Sequence, residues 1–144
     1  MADTEHIVGL IKEIPLFQSL KRRQLDTLAR IFVERRCQAG EMLVPQDQSG
    51  YGFFVITAGS AKAIRRRSDG SEVVVNTFGP GDFFGEIALL DGGPRTASVI
   101  ATEPIHCLVL PRENFLSALR RDGDMAVAIL IELTRRFRSS LDAC

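Results

Sequence analysis

The chain of 144 residues is 45% hydrophobic and 25% charged, the balance of an ordinary globular domain long enough to bury one core. Eighteen Lys and Arg offset eighteen Asp and Glu, so no global charge draws the chain to nucleic acid or an anionic membrane, and any anion site must be local. Cys37, Cys107 and Cys144 lie too far apart for a zinc site or a disulfide framework, and no apolar run is long enough to span a bilayer, so the sequence reads as cytoplasmic.

Ile7, Val8, Leu10, Ile11 and Ile14 follow helical spacing up to Pro15, which restricts its predecessor and ends a short first helix. A second helix begins near Ser19, a residue suited to its N-cap, with Leu25, Leu28 and Phe32 along one face. From Phe32 to Leu110 the texture changes to short β-prone runs closed by turn residues. These are Val33 to Cys37, Glu41 to Val44, Gly52 to Ala58, Ser60 to Arg67, Glu72 to Phe78, Thr96 to Thr102 and Ile105 to Leu110. Ala39-Gly40, Gln48-Ser49-Gly50, Ser68-Asp69-Gly70-Ser71 and Gly79-Pro80-Gly81 supply the turns. Even spacing of short strands favours a closed antiparallel roll, since closure removes exposed edges. Phe83 to Asp91 breaks the rhythm: a glycine is followed by Glu86-Ile87-Ala88-Leu89-Leu90, which has better helix formers than strand formers.

After Pro111 the helical period returns. Asn114 to Arg121 makes a short helix, Gly123 suits a left-handed cap that ends it, and Asp124 suits the cap of the next. That last helix places Ala126, Leu130, Leu133, Phe137 and Leu141 on one stripe. The expected organisation is one domain over 1–144: helical over 1–31, a mainly β, jelly-roll-like antiparallel roll over 32–110, and C-terminal helices over 112–142.

The stretch from Phe83 to Val99 carries the chemistry. Gly85 allows close approach of backbone to a ligand and opens a one- or two-turn helix whose free N–H groups suit an anion. Arg95, behind Gly92-Gly93-Pro94, offers a guanidinium fork to two phosphate oxygens. Glu86 is repelled by a phosphate but accepts strongly from a sugar hydroxyl. Phosphate and sugar together indicate a nucleotide. The Arg65-Arg66-Arg67 run reads as decoration of a hairpin end before Asp69-Gly70 and not as a nucleic-acid patch. His6 and His106 have no partners at metal spacing, so no metal is expected, and Cys37 and Cys107 read as core residues.

Phe84-Gly85-Glu86-Ile87-Ala88-Leu89, then Asp91-Gly92-Gly93-Pro94, then Arg95-Thr96-Ala97 resembles the phosphate-binding cassette of cyclic-nucleotide-binding domains, as found in catabolite-activator-type regulators, kinase regulatory subunits and gated channels. Ile14-Pro15-Leu16-Phe17, the glycine after Phe53 to Ala58, and Gly79-Pro80-Gly81-Asp82 extend the likeness over most of the chain. The resemblance implies a β-roll with a short cassette helix and a C-terminal lid helix. It implies that Glu86 takes the ribose 2′-hydroxyl, that Gly85 with Ile87 and Ala88 lines the sugar-phosphate, and that Arg95 binds the cyclic phosphate beside Thr96 and Ala97. Val74 and Phe83 are candidates for the base wall.

The function so implied is a cAMP sensor, with cGMP as a second ligand, whose occupancy moves the C-terminal helix. It requires no catalysis and no cofactor. Phosphodiester hydrolysis would need a metal cluster or a general base at phosphorus, and the sequence offers neither. The alternative is a ligand-independent dimerisation scaffold, with Leu130, Leu133 and Phe137 pairing two subunits or else packing on the roll. No membrane or direct nucleic-acid contact is expected of this segment. Its output is expected from a partner in trans or from a longer chain of which this is a piece.

Overall fold

A computed structural model describes residues 3–47, 52–93 and 95–142, with the side chain of Ile87 outside that description. The turn expected at Gln48-Ser49-Gly50, together with Pro94 and Cys144, lies outside the described residues. The chain divides into two compact units, one of Phe32–Glu113 and one of Met1–Ile31 with Asn114–Cys144.

The first of these is the β unit. Among the described residues eight strands form two antiparallel sheets: β1 (Val33–Cys37), β8 (Ile105–Pro111), β3 (Gly52–Ala58) and β6 (Phe83–Phe84) in one, and β2 (Met42–Val44), β7 (Ser98–Ala101), β4 (Ala61–Arg66) and β5 (Glu72–Phe78) in the other. Residues of alternate parity along β3, β4, β7 and β8 meet Leu43 and Val44 of the irregular β2 in one core that includes Phe54, Ile56, Ala61, Ala63, Val99, Ala101, Ile105, Cys107 and Val109. The architecture is the antiparallel roll that short, evenly spaced strands predict. Among the described residues only β4 and β5 form a tight hairpin, across a turn in which Asp69 accepts from the Ser71 amide at 2.9 Å. The other pairings are non-local, so neighbour order could not be read from spacing.

Two local features were not expected. Phe83–Phe84 pairs with β3 as Phe84 opposite Phe54 and Phe83 opposite Val55; two residues are too few to show any period. In β5, Ala63 faces Asn76 but Ile64 faces Val74, so Val75 is an extra residue in the ladder, a β-bulge.

The helical unit contains α1 (Thr4–Ile11), a 3-10 turn at Pro15–Phe17, α2 (Arg22–Ala29), most of α4 (Arg112–Arg121) and α5 (Gly123–Asp142). Helix α1 ends four residues before Pro15, which opens the 3-10 turn at its first position, where a missing N–H costs nothing. Ser19 is not the cap of α2. Lys21 holds that place, its amide donating to the Gln24 side chain at 2.9 Å, while the Ser19 hydroxyl donates to Glu132 at 3.0 Å. Phe32 lies beyond the end of α2.

Gly123 does not adopt the left-handed cap expected of it; it is the first residue of α5, and Asp122, not Asp124, accepts from the Met125 amide at 3.1 Å. The buried face of α5 also differs from the expected stripe. Met125, Ile129 and Glu132 are buried, whereas Leu130, Phe137 and Leu141 are exposed. Glu132 is admitted because Ser19 and Arg135 both reach its carboxylate, at 3.0 and 3.3 Å.

Candidate functional site

Within the β unit a cavity of about 660 Å³ opens against the cassette. Helix α3 (Glu86–Asp91) begins where Gly85 takes φ +92°, a left-handed conformation that strains any residue with a Cβ. Space imposes the same choice, because a Cβ there would stand 2.4 Å from Arg95 Nη1 and 2.9 Å from the Gly52 carbonyl oxygen. The helix closes at Gly92 (φ +67°), packed under the Arg112 guanidinium, and Arg112 Nη2 donates to the Leu90 carbonyl at 3.1 Å. A cation at the C-terminal end satisfies a carbonyl the helix leaves unpaired. Arg112 is therefore part of the scaffold of the site. Its only signal in the sequence is a basic residue after Pro111, one among eighteen Lys and Arg.

Arg95 is buried and lines the cavity. Its Nη2 donates to the Gly52 carbonyl at 2.5 Å, its guanidinium stands 6.0 Å from the Phe54 ring, and its Nε has no hydrogen-bond partner among the described residues. Burial lowers its pKa from the ordinary arginine value, but that value is so high that the group stays charged. Among the described residues no carboxylate pairs with it. A buried cation held by one carbonyl and an aromatic face is costly unless an anion completes it. Its backbone is fixed from the turn after β2: the Asp47 amide donates to the Arg95 carbonyl at 2.8 Å, and the Gln46 amide donates to Ser98 Oγ at 2.8 Å.

The cavity brings together Phe83, Gly85, Glu86, Ala88, Arg95, Thr96 and Ala97 of the residues expected from sequence. Ile87 lies in α3, its side chain outside the described residues. Val74 is the exception. It is 53% exposed and does not line the cavity; Val75 does. Strict alternation back from Phe78 and Asn76 reaches Val74, but the bulge sets Val75, itself 43% exposed, along the cavity instead. Val44, Ala63, Asn76, Phe78 and Phe84 line the same space without having been assigned to it from sequence, and so does Arg65, which the sequence placed at a hairpin end. Phe84 stacks on Phe54 at 4.7 Å and tilts against Phe78 at 5.2 Å, an apolar wall of a kind that suits a planar ring. Among the described residues no group of three or more His, Cys, Asp or Glu is arranged to hold a metal, and no helix is long and apolar enough to cross a membrane.

A two-sheet antiparallel roll with a glycine-opened cassette helix facing a buried arginine defines a ligand-binding regulatory module. Residues 34–122 match the cyclic nucleotide-binding domain family, and the chain belongs to that family. It is 32% identical over 130 residues to the cyclic AMP receptor protein of Thermus thermophilus, covering 90% of this chain and 60% of the relative's length. Among solved structures it resembles the N-terminal domain of a transcriptional regulator from Streptomyces coelicolor (TM-score 0.85, 30% identity, 93% of this chain and 96% of that one). It also resembles the regulatory domain of Toxoplasma gondii PKA in co-crystals with cAMP (TM-score 0.75, 29% identity, 82% of this chain and 46% of that one).

Proposed function

We propose that this chain is a non-catalytic cAMP sensor that also binds cGMP and passes occupancy to its C-terminal helix. The observation that carries this reading is Arg95: a buried guanidinium with no carboxylate partner among the described residues, beside a left-handed Gly85, in a cavity that also holds Glu86. The cyclic phosphate supplies the missing anion. Glu86 accepts from the ribose 2′-hydroxyl, and the first-turn amides of α3 at Ile87 and Ala88 face the sugar-phosphate with Gly85. Thr96 and Ala97 flank the phosphate, while Phe83, Val75 and Phe78 wall the base. In this reading each residue of the set binds the ligand, and none serves as a general base. Cys37 and Cys107 are free thiols in the core, in keeping with a cytoplasmic setting.

Coupling to α5 follows from differential stability: a ligand shifts that helix only if it binds one of its positions better than the other. An output partner then reads α5. A second reading has its own observation. Val127, Leu130, Ile131, Phe137 and Leu141 are exposed along α5, an apolar surface that suits a second copy of the chain and supports a dimerisation scaffold. Mass in solution with and without cAMP separates the two: a dimer indifferent to nucleotide favours the scaffold.

The site is tested by calorimetric titration of the parent, Arg95→Ala and Glu86→Ala with cAMP and cGMP. Each variant removes a charged hydrogen-bonding partner, about 1.5–3 kcal/mol, or roughly a 10- to 150-fold loss of affinity. Parent-like titration by both variants overturns the assignment.

A further inference from the structure

The sequence runs Arg65-Arg66-Arg67 as one basic triplet, but the fold gives its members different surroundings. The alternation of β4 places Arg65 on the face of Ala61 and Ala63, and with Ala63 it lines the cavity. Arg66 stands on the opposite face with Ile64, in a separate depression, 3.6 Å from Glu72. Arg67 lies beyond the strand, its amide paired with the Ser71 carbonyl across the hairpin turn. The triplet is therefore no single basic patch. Arg65 is exposed at the cavity, with Nε 3.4 Å from the Thr96 carbonyl, a long contact that leaves most of its donors unspent. Among the described residues it forms no ion pair.

The cavity thus has two guanidinium groups, Arg95 buried and Arg65 exposed, together with the carboxylates of Glu86 and Asp91. A cyclic mononucleotide carries one phosphate, which the reading above gives to Arg95. What remains for Arg65 is the base. A guanidinium is a donor-only fork. Guanine and hypoxanthine present two adjacent acceptors, O6 and N7, to such a fork, whereas adenine presents N7 beside an N6 amino group, so that donor meets donor. We infer that Arg65 is a specificity-determining residue of the nucleotide site, reading the O6/N7 edge and so supplying affinity for cyclic 6-oxopurine nucleotides such as cGMP beside cAMP. The inference rests on the cyclic-nucleotide reading of the cavity.

It is tested by titrating cAMP, cGMP and cyclic IMP into the parent, Arg65→Ala, Arg65→Lys and Arg66→Ala. Arg65→Ala should lose about fivefold or more for cGMP and cyclic IMP alike, the loss held down by solvent at an exposed position, while cAMP changes less than twofold. Arg65→Lys keeps the charge without the fork and should restore only part of the loss. Arg66→Ala removes the same charge from the other face and should change none of the three. Near-equal losses for all three nucleotides show that Arg65 acts through the phosphate, no loss shows a solvated side chain, and loss for cGMP alone shows that the 2-amino group is read; each overturns the inference. Retained cAMP binding keeps the cyclic-nucleotide reading standing in all those cases. A parent that binds none of the three overturns that reading, and this inference with it.

Discussion

Substituting Gly85 by Ala strikes the site through backbone and space at once. At φ +92° an alanine costs about 1–2 kcal/mol, because its Cβ crowds the neighbouring carbonyl. The added methyl would also stand 2.9 Å from the Gly52 carbonyl oxygen, which is backbone, and 2.4 Å from Arg95 Nη1, so the guanidinium must leave its place. If Arg95 then loses its bond to Gly52, a charged hydrogen bond of about 1.5–3 kcal/mol is added to the deficit. Gly81 provides the control, with φ +91° and nothing within 4 Å of its hypothetical Cβ. Gly81→Ala should show only the backbone part of the destabilisation in denaturant unfolding and titrate with cAMP like the parent. Gly85→Ala should unfold earlier than Gly81→Ala and bind cAMP at least about tenfold more weakly, through displacement of Arg95, the proposed phosphate-binding residue. Equal unfolding midpoints for the two variants, or parent-like cAMP binding by Gly85→Ala, would refute the argument that Gly85 is required by its contact with Arg95.

Thr96→Ala should reduce cGMP affinity more than cAMP affinity, by a factor of about two to twelve, because only guanine carries a 2-amino donor for that hydroxyl; parallel titrations giving equal losses would show that Thr96 serves the phosphate alone. Hydrogen exchange across α5 should change between the apo and cAMP-saturated protein, and identical protection in both states would reduce the chain to a passive binder. Cys107 provides a pH signature: burial, with a smaller contribution from Cys37, pushes its thiol up to about 11. The unfolded thiol ionises first, so stability present below about pH 9 should fall by about 2–3 kcal/mol as pH rises toward 11. In urea unfolding this alkaline loss should be smaller in Cys107→Ala than in the parent, and an identical pH profile in the two would refute the burial argument.

How much of the site was legible depended on whether its signal was local. Phe84-Gly85-Glu86 and Arg95-Thr96-Ala97 each state a backbone conformation or a donor within a few residues, and the structure brings them to one cavity. Asp122 and Asp124 flank the same glycine, and Asp122 is the cap because the helix takes in Gly123 as its first residue. The polar Glu132 concealed the buried face of α5, because its partner Ser19 lies 113 positions away.

The sequence by itself determined most of the strands, the Asp69-Gly70 turn and the cassette, since alternation, turn chemistry and a glycine that opens a short helix are properties of neighbouring residues. Tertiary structure alone decided the rest. The bulge that exchanges Val74 for Val75, the pairing of Phe83–Phe84 with β3, and Arg112 beneath Gly92 all depend on segments distant in the chain. So does the separation of Arg65 from Arg66. Side-chain period fixes only that they point to opposite faces, and it is the closure of two sheets around a cavity that makes one of those faces the inside.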